Sequence, residues 1–247
     1  ELKFNKPFKI KKKEVKKYVI KCLNEALKII EKYKISSLVT CPFNKKNLFE
    51  NNRIGLTEFL SKIDRKKKET VMMIYSEKFA VVPLTNHINQ KIVHKKINKS
   101  LIIRKIQIIL RSYKKIFGKN PKIAITGLNP HNDEFRVKSE ENKIILPAVK
   151  YLNKKKIKVH GPVPADTIFL KDKIKSFNLI VGMYHDQVLA PFKALNGFDA
   201  INITLGLDFL RVAPDHGTGE EIIGKKLADS KSLLKTIKFV FKYGYKA

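Results

Sequence analysis

The chain has no tryptophan, two cysteines and three methionines in 247 residues, and acid is scarce: 22 Asp and Glu stand against 52 Lys and Arg. Each shortage excludes something. Two isolated cysteines make neither a disulfide framework nor a paired-cysteine metal motif, so Cys22 and Cys41 are expected to be free thiols. Spacing puts Cys22 on the apolar face of a helix and Cys41 at a strand end beside Pro42. Long apolar runs are missing too. Leu101-Ile-Ile and Ile108-Ile-Leu110 are broken by Arg or Gln far short of the roughly 20 residues that a membrane span requires. No charged-then-apolar leader opens the chain, so a cytoplasmic protein without a membrane partner is expected.

The shortage of acid leaves a formal charge of +30. Such a field attracts anions, and nucleic acid or a phosphorylated metabolite are the two candidates. The distribution disfavours the first. Lysines are spread over nearly every element and gather in plain runs, Lys11 to Lys13 and Lys154 to Lys156, with no dedicated basic helix, stacking motif or zinc-finger spacing. A solvated lysine surface is expected, with a small phosphorylated molecule as the partner.

What is present is a globular α/β pattern, its 43% hydrophobic residues sufficient for one substantial core or two modest lobes. Val15, Val19, Cys22, Leu23, Ala26, Leu27 and Ile30 recur at helical spacing, and Ser36 to Thr40 then reads as a strand. Val71 to Tyr75 and Phe79 to Leu84 are separated only by Ser76-Glu77-Lys78, too short for a crossover helix, which predicts an antiparallel hairpin and hence a mixed sheet. A long amphipathic helix carries Ile102, Ile106, Ile109, Leu110, Tyr113 and Phe117 and closes at Gly118 and Pro121. Another follows near Asn142 to Asn153, bent or begun late at Pro147. The last is expected over Ser230 to Tyr243, burying Leu233, Leu234, Ile237, Val240 and Phe241.

Three apolar strands each run into a histidine: Phe79 to Leu84 into His87, Ile123 to Thr126 into His131, and Leu179 to Tyr184 into His185. In open α/β sheets ligands bind at the carboxyl ends of the strands, so three imidazoles delivered there are expected to converge. Three neutral histidines with an open position are a standard way to hold a catalytic divalent metal. Between Gly161 and Gly219 glycine and proline are dense. Gly161-Pro-Val-Pro-Ala-Asp-Thr167 reads as a rigid loop presenting Asp166, and Asp215-His-Gly-Thr-Gly219 reads as a turn opening a helix.

Gly127-Leu-Asn-Pro-His131, Gly161 to Thr167, Tyr184-His-Asp-Gln187, Asn202-Ile-Thr-Leu-Gly-Leu207 and Pro214-Asp-His-Gly-Thr218 resemble, in order, the signature segments of the 4-hydroxythreonine-4-phosphate dehydrogenase family of pyridoxal phosphate biosynthesis. The resemblance runs from about Ile35 to the C-terminus. It implies a three-layer α/β/α fold with a mixed sheet, in two lobes like isopropylmalate dehydrogenase, and a homodimer whose interlobe active site is completed by the partner subunit. Residues 1–55, with 230–247 packing back on them, are expected to be a remnant of the first lobe, and 56–229 the second lobe carrying the metal and substrate residues. The family's metal-binding histidines match His87, His131 and His185, and its substrate-binding residues match Lys193, Asn202 and Arg211, with Thr57 of Gly55-Leu-Thr-Glu-Phe59 as a further contact.

The implied reaction is oxidation of 4-phosphohydroxy-L-threonine by NAD to a 3-keto acid, which decarboxylates to 3-amino-2-oxopropyl phosphate. A divalent metal (zinc, cobalt, magnesium or manganese) would lower the pKa of the hydroxyl, with Lys193 and Arg211 gripping phosphate or carboxylate. The absence of Gly-x-Gly-x-x-Gly agrees with a family that binds its dinucleotide without that fingerprint. Asp166 and Asp186 are the candidate bases, Asp186 and Gln187 also being candidates for orienting His185, and Lys45 matches a family lysine that faces the cleft. His94 and His160 are read as surface residues, His216 as a helix-capping turn or a site residue.

Three departures weigh on this reading. The family's first segment, with its Asp-Pro-Ala-Gly-x-Gly, has no counterpart in these residues, so a fragment or a short form is expected. Leu56 stands where the family has a substrate-contacting histidine, and Asn132-Asp133 replace small residues after His131. Leu56 favours a second reading, a dehydrogenase of threonate or erythronate 4-phosphate. A third is an inactive basic homologue that binds polyanions.

Overall fold

Ser76 turns the chain back on itself: its N–H donates to the Phe79 carbonyl at 3.1 Å and its hydroxyl to the same oxygen at 3.0 Å. The hairpin that the short spacer demanded is therefore present, β2 (Val71–Tyr75) against β3 (Ala80–Thr85). This computed structural model describes residues 12–43, 59–60 and 69–244; Lys45, Leu56 and Thr57 lie outside the described residues. Before the hairpin come α1 (Lys12–Tyr33) and β1 (Ser37–Val39). After it follow α2 (Val93–Lys96), α3 (Lys99–Phe117), β4 (Ile123–Thr126), α4 (Leu146–Lys154), β5 (Val159–Val163), α5 (Ala165–Ile168), α6 (Lys171–Ile174) and β6 (Leu179–Tyr184). The remainder is α7 (His185–Asn196), β7 (Ile201–Leu205), β8 (Leu210–Pro214) and α8 (Lys231–Tyr243).

The eight strands of the described residues join one mixed sheet in the order β1-β8-β7-β2-β3-β6-β4-β5. β3, β6, β4 and β5 are mutually parallel. β2 runs against both β3 and β7, so β7 points the same way as the parallel set. β8 is antiparallel to β7 and carries β1 beside it. β3, β4 and most of β6 are buried apolar runs, as strands covered on both faces must be. Ile102, Ile106 and Ile109 of α3, Ala148 and Leu152 of α4 and Phe239 of α8 cover one face; Val188, Leu189 and Phe192 of α7 cover the other, against Ile74, Val81 and Ile180. The expected three-layer α/β/α arrangement follows.

Helix α3 shows why the sequence was readable. Asn98 caps α3 by accepting the Leu101 N–H at 2.9 Å, and Gly118 ends it at φ 73°, a left-handed turn that glycine adopts without penalty. At Pro147 the late start is observed: a π turn over Glu141–Ile145 feeds α4, with proline in its first turn where no N–H is needed.

Three expectations need correction. Cys22 is exposed, not on the buried face of α1; Leu23 takes the buried position. No helix opens after Gly219, only a 3-10 turn over Glu220–Ile222. α8 buries Ser232, Thr236 and Phe239, whereas Leu234, Ile237 and Phe241 are 51%, 38% and 72% exposed. Hydroxyl chemistry and aromatic packing set that rotation. Ser232 Oγ donates to the Ala200 carbonyl and accepts the Asp215 N–H, while Phe239 and Tyr243 pack on Phe117.

Candidate active site

The carboxyl ends of β3, β6 and β4 are adjacent, and side chains tie them together. Thr85 Oγ1 donates to the Met183 carbonyl at 2.7 Å, joining β3 to β6. Gln187, in the first turn of α7, joins β6 to β4: its Oε1 accepts from the Met183 N–H at 2.7 Å and from Thr126 Oγ1 at 2.9 Å, and its Nε2 donates to the Gly127 carbonyl at 2.8 Å. α7 can lie this close because Gly182 has no Cβ, which would come within 2.4 Å of Val188 Cγ1. Gln187 thus braces the strand ends themselves, a wider role than orienting His185.

His87 and His185 meet at this edge with ring centroids 5.9 Å apart, beside a cavity of about 110 Å³ that Tyr184 and Asp186 also line. Two imidazoles bound tetrahedrally to one ion, each at about 2.1 Å, would put their ring centres about 5 Å apart, so the pair stands slightly wider than two ligands of one metal. Asp186 Oδ1 lies 2.7 Å from His185 Nδ1, which leaves Nε2 as the nitrogen free to ligate. His131 stands exposed on the loop after β4. Among the described residues no three His, Cys, Asp or Glu side chains lie close enough to surround an ion. Structure therefore brings His87 to His185 and puts His131 on the adjoining strand end, outside that pair.

The His131 loop is unusual. His131 to Phe135 all have positive φ, between 46° and 58°. Asn, Asp and His tolerate that region better than most residues, but Glu134 and Phe135 do not, and each left-handed residue costs roughly 1–2 kcal/mol. Asn132 and Asp133 in place of small residues are accommodated in this turn, Asn132 being buried with its Nδ2 donating to the Pro162 carbonyl at 3.2 Å. Glu141, which sequence reasoning passed over, holds the loop from beneath; an acidic pair, Glu140-Glu141, before an apolar helix in a chain short of acid was the available signal. Asp166 is exposed in α5 after β5, at the same sheet edge, and Asp186 is exposed beside His185.

Asn202, Thr204 and Arg211 share one face of β7 and β8, since Thr204 pairs directly with Arg211 and strand residues two apart point the same way. It is the face that α7 covers. Arg211 is 4% exposed and among the described residues donates to hydroxyls: Nε and Nη2 to Thr40 Oγ1 at 3.1 and 2.5 Å, and Nη1 to Thr204 Oγ1 at 3.3 Å. Burial lowers its pKa to about 10. Among the described residues no carboxylate pairs with it, and the Asn202 Oδ1 nearby on this face is buried without a donor. Lys193, half-buried on α7, donates to the Asp215 carbonyl at 2.8 Å with its Nζ 2.6 Å from Asp215 Oδ2. Burial pushes the Asp215 carboxyl up, and Lys193, then His216 and His185, pull against it. His160 stacks on Phe177 and His94 is exposed on α2; neither joins the site.

A mixed α/β sheet carries imidazoles at its parallel strand ends and, on the adjoining face, a buried guanidinium that no carboxylate among the described residues neutralises, an arrangement that suits an anionic ligand. Comparison with known proteins narrows this. Residues 2–240 match the profile of the pyridoxal phosphate biosynthetic protein PdxA, and the chain belongs to that family. It is 41% identical over 229 residues to 4-hydroxythreonine-4-phosphate dehydrogenase of Sulfurihydrogenibium sp. (strain YO3AOP1), covering 91% of this chain and 70% of that one. The crystal structure of 4-hydroxythreonine-4-phosphate dehydrogenase from Klebsiella pneumoniae superposes with a TM-score of 0.78 at 30% identity, covering 92% of this chain and 70% of the other. A protein of Oceanobacillus iheyensis provisionally named D-threonate 4-phosphate dehydrogenase is 34% identical over 219 residues, 87% of this chain and 66% of its own. The chain thus spans about two thirds of the length of these relatives. Among the described residues no helix is long and apolar enough to cross a membrane.

Proposed function

We propose that this chain serves the NAD-dependent oxidation of 4-phosphohydroxy-L-threonine to its 3-keto acid, which loses carbon dioxide to give 3-amino-2-oxopropyl phosphate, in pyridoxal 5'-phosphate biosynthesis. The observation that carries the reading is the pairing of His87 with His185 at parallel strand ends, in a chain whose relatives bear that dehydrogenase name. His87, His185 and His131 would hold a divalent ion. When bound, that ion supplies Lewis-acid polarisation of the hydroxyl to be oxidised, and NAD takes the hydride. Asp186 fixes the tautomer of His185 through Nδ1. Asp166, exposed and without a partner among the described residues, is the carboxylate available to remove a proton, with Lys45 a further candidate by its match to the family. Arg211 receives the phosphate or carboxylate in two-pronged fashion, relieving its buried charge, with Lys193 as a point charge and Asn202 and Thr57 as polar contacts. The active form is a homodimer with the site at the subunit interface.

The test is appearance of reduced nicotinamide from 4-phosphohydroxythreonine and NAD on metal-loaded protein, with and without chelator, beside His185→Ala. Metal-dependent turnover lost in the variant is expected; no turnover in folded, loaded protein would sink the assignment for this chain. A second reading is oxidation of threonate or erythronate 4-phosphate, favoured by Leu56 and by the Oceanobacillus relative. Faster turnover on those acids would select it. Salt-sensitive binding of nucleic acid, indifferent to metal and NAD, would instead mark a polyanion-binding homologue.

A further inference from the structure

Glu141 is a fully buried carboxylate in a chain that has few acids. Its Oε1 accepts the backbone N–H groups of Leu128 and Asn129 at 2.7 and 2.8 Å, and its Oε2 accepts Asn129 Nδ2 at 3.1 Å. All three donors belong to the two residues that begin the turn leading to His131. Burying a carboxylate is unfavourable unless its lone pairs are filled, and here backbone amides fill them, so the carboxylate and the loop backbone fix one another. On the far side of His131 the loop is gripped again by Asn132, whose Nδ2 reaches the Pro162 carbonyl. The two grips touch at Gly127: a Cβ there would lie 2.2 Å from Asn132 Oδ1 and 3.0 Å from Glu141 Oε1. Between them lie Pro130 and His131, both exposed, and His131 is the one of the two with a side chain able to ligate.

We propose that Glu141 is a positioning residue for the metal centre: through the Leu128 and Asn129 amides it sets the backbone from which His131 is delivered to the ion. This rests on the proposed function, in which His131 is a ligand. Glutamine at 141 keeps the shape and one acceptor oxygen but turns the other oxygen into a donor facing donors.

The experiment is titration of the full chain with Co²⁺ alone, followed by calorimetry and by the visible absorption of the bound ion, on wild type, Glu141→Gln, Gly127→Ala and His131→Ala, with a thermal melt of each apo protein. Glu141→Gln is expected to weaken Co²⁺ binding about tenfold, and to move the absorption towards that of His131→Ala, by more than any change in its apo melting temperature would account for. Gly127→Ala, which keeps the carboxylate chemically intact but crowds both it and Asn132 where they hold the loop, is expected to do likewise. If His131→Ala loses affinity while Glu141→Gln binds as wild type, the positioning role is overturned and the ligand reading stands. If His131→Ala itself binds as wild type, the ligand reading fails and takes the proposal with it. Should Glu141→Gln not fold, Gly127→Ala decides: wild-type affinity and absorption there overturn the proposal.

Discussion

Replacing Arg211 by methionine should make the protein more stable and blind to phosphate. The guanidinium is almost wholly buried, hydrogen-bonds among the described residues to the Thr40 and Thr204 hydroxyls, and has its pKa pulled down to about 10 by burial. At about 1.4 kcal/mol per tenfold change in proton affinity, the charged form carries a penalty of about 3 kcal/mol. Methionine fills similar length without charge and adds about 1–2 kcal/mol of apolar burial, but removes three hydrogen bonds to two threonines, worth about 1 kcal/mol each. The net expectation is a gain of about 1–2 kcal/mol in phosphate-free buffer, in keeping with buried charges replaced by apolar side chains. The pH dependence has a fixed sign. The unfolded arginine holds its proton more tightly than the folded one, so the penalty is complete below a pH of about 10 and stability recovers only as pH rises above it. The gain should therefore be flat across neutral pH. Urea unfolding with an unchanged slope measures it, repeated with excess inorganic phosphate, which should stabilise wild type and leave Arg211→Met unmoved. A variant less stable than wild type in phosphate-free buffer would refute the reasoning, because the guanidinium would then be compensated in place.

Gln187→Leu removes the brace between β6 and β4 and strands the buried Met183 N–H and Gly127 carbonyl; a loss of about 2–4 kcal/mol in chemical denaturation is expected. For Asp215, whose folded pKa is raised, the native state binds the extra proton, so its stabilising contribution is full at low pH and is lost as pH rises through the folded value. Asp215→Asn should flatten that fall in a pH series of unfolding curves just above the ordinary carboxylate range. Phe239→Ala should cost about 3–5 kcal/mol and Phe241→Ala less than about 0.5, because the first packs on Tyr75 and Phe117 while the second is 72% exposed. Equal melting temperatures for the two would mean that α8 is turned the other way.

The local grammar of the chain was enough for most of the fold. A three-residue spacer forced the hairpin, Asn98 and Gly118 delimited α3, and apolar runs of strand length marked the buried parallel strands, because each of these signals acts within a few residues of itself. The same signals put three histidines at strand ends, and strand ends in a parallel sheet share an edge, whereas Gly161 to Val163, read as loop for its glycine and prolines, is part of β5 and leads to Asp166. What tertiary structure alone decided is which groups meet there. The order β3-β6-β4 set His87 against His185, and the brace from Gln187 and the grip of Glu141 join residues far apart in sequence. Rotation of α8 was beyond the sequence for a related reason: apolar residues ring that helix, so its pattern admits two faces, and the choice fell to the Ala200 carbonyl and the Asp215 amide that Ser232 satisfies. That no carboxylate among the described residues meets Arg211 is tertiary as well, since a strand arginine looks the same in sequence whether or not burial gives it a charged partner.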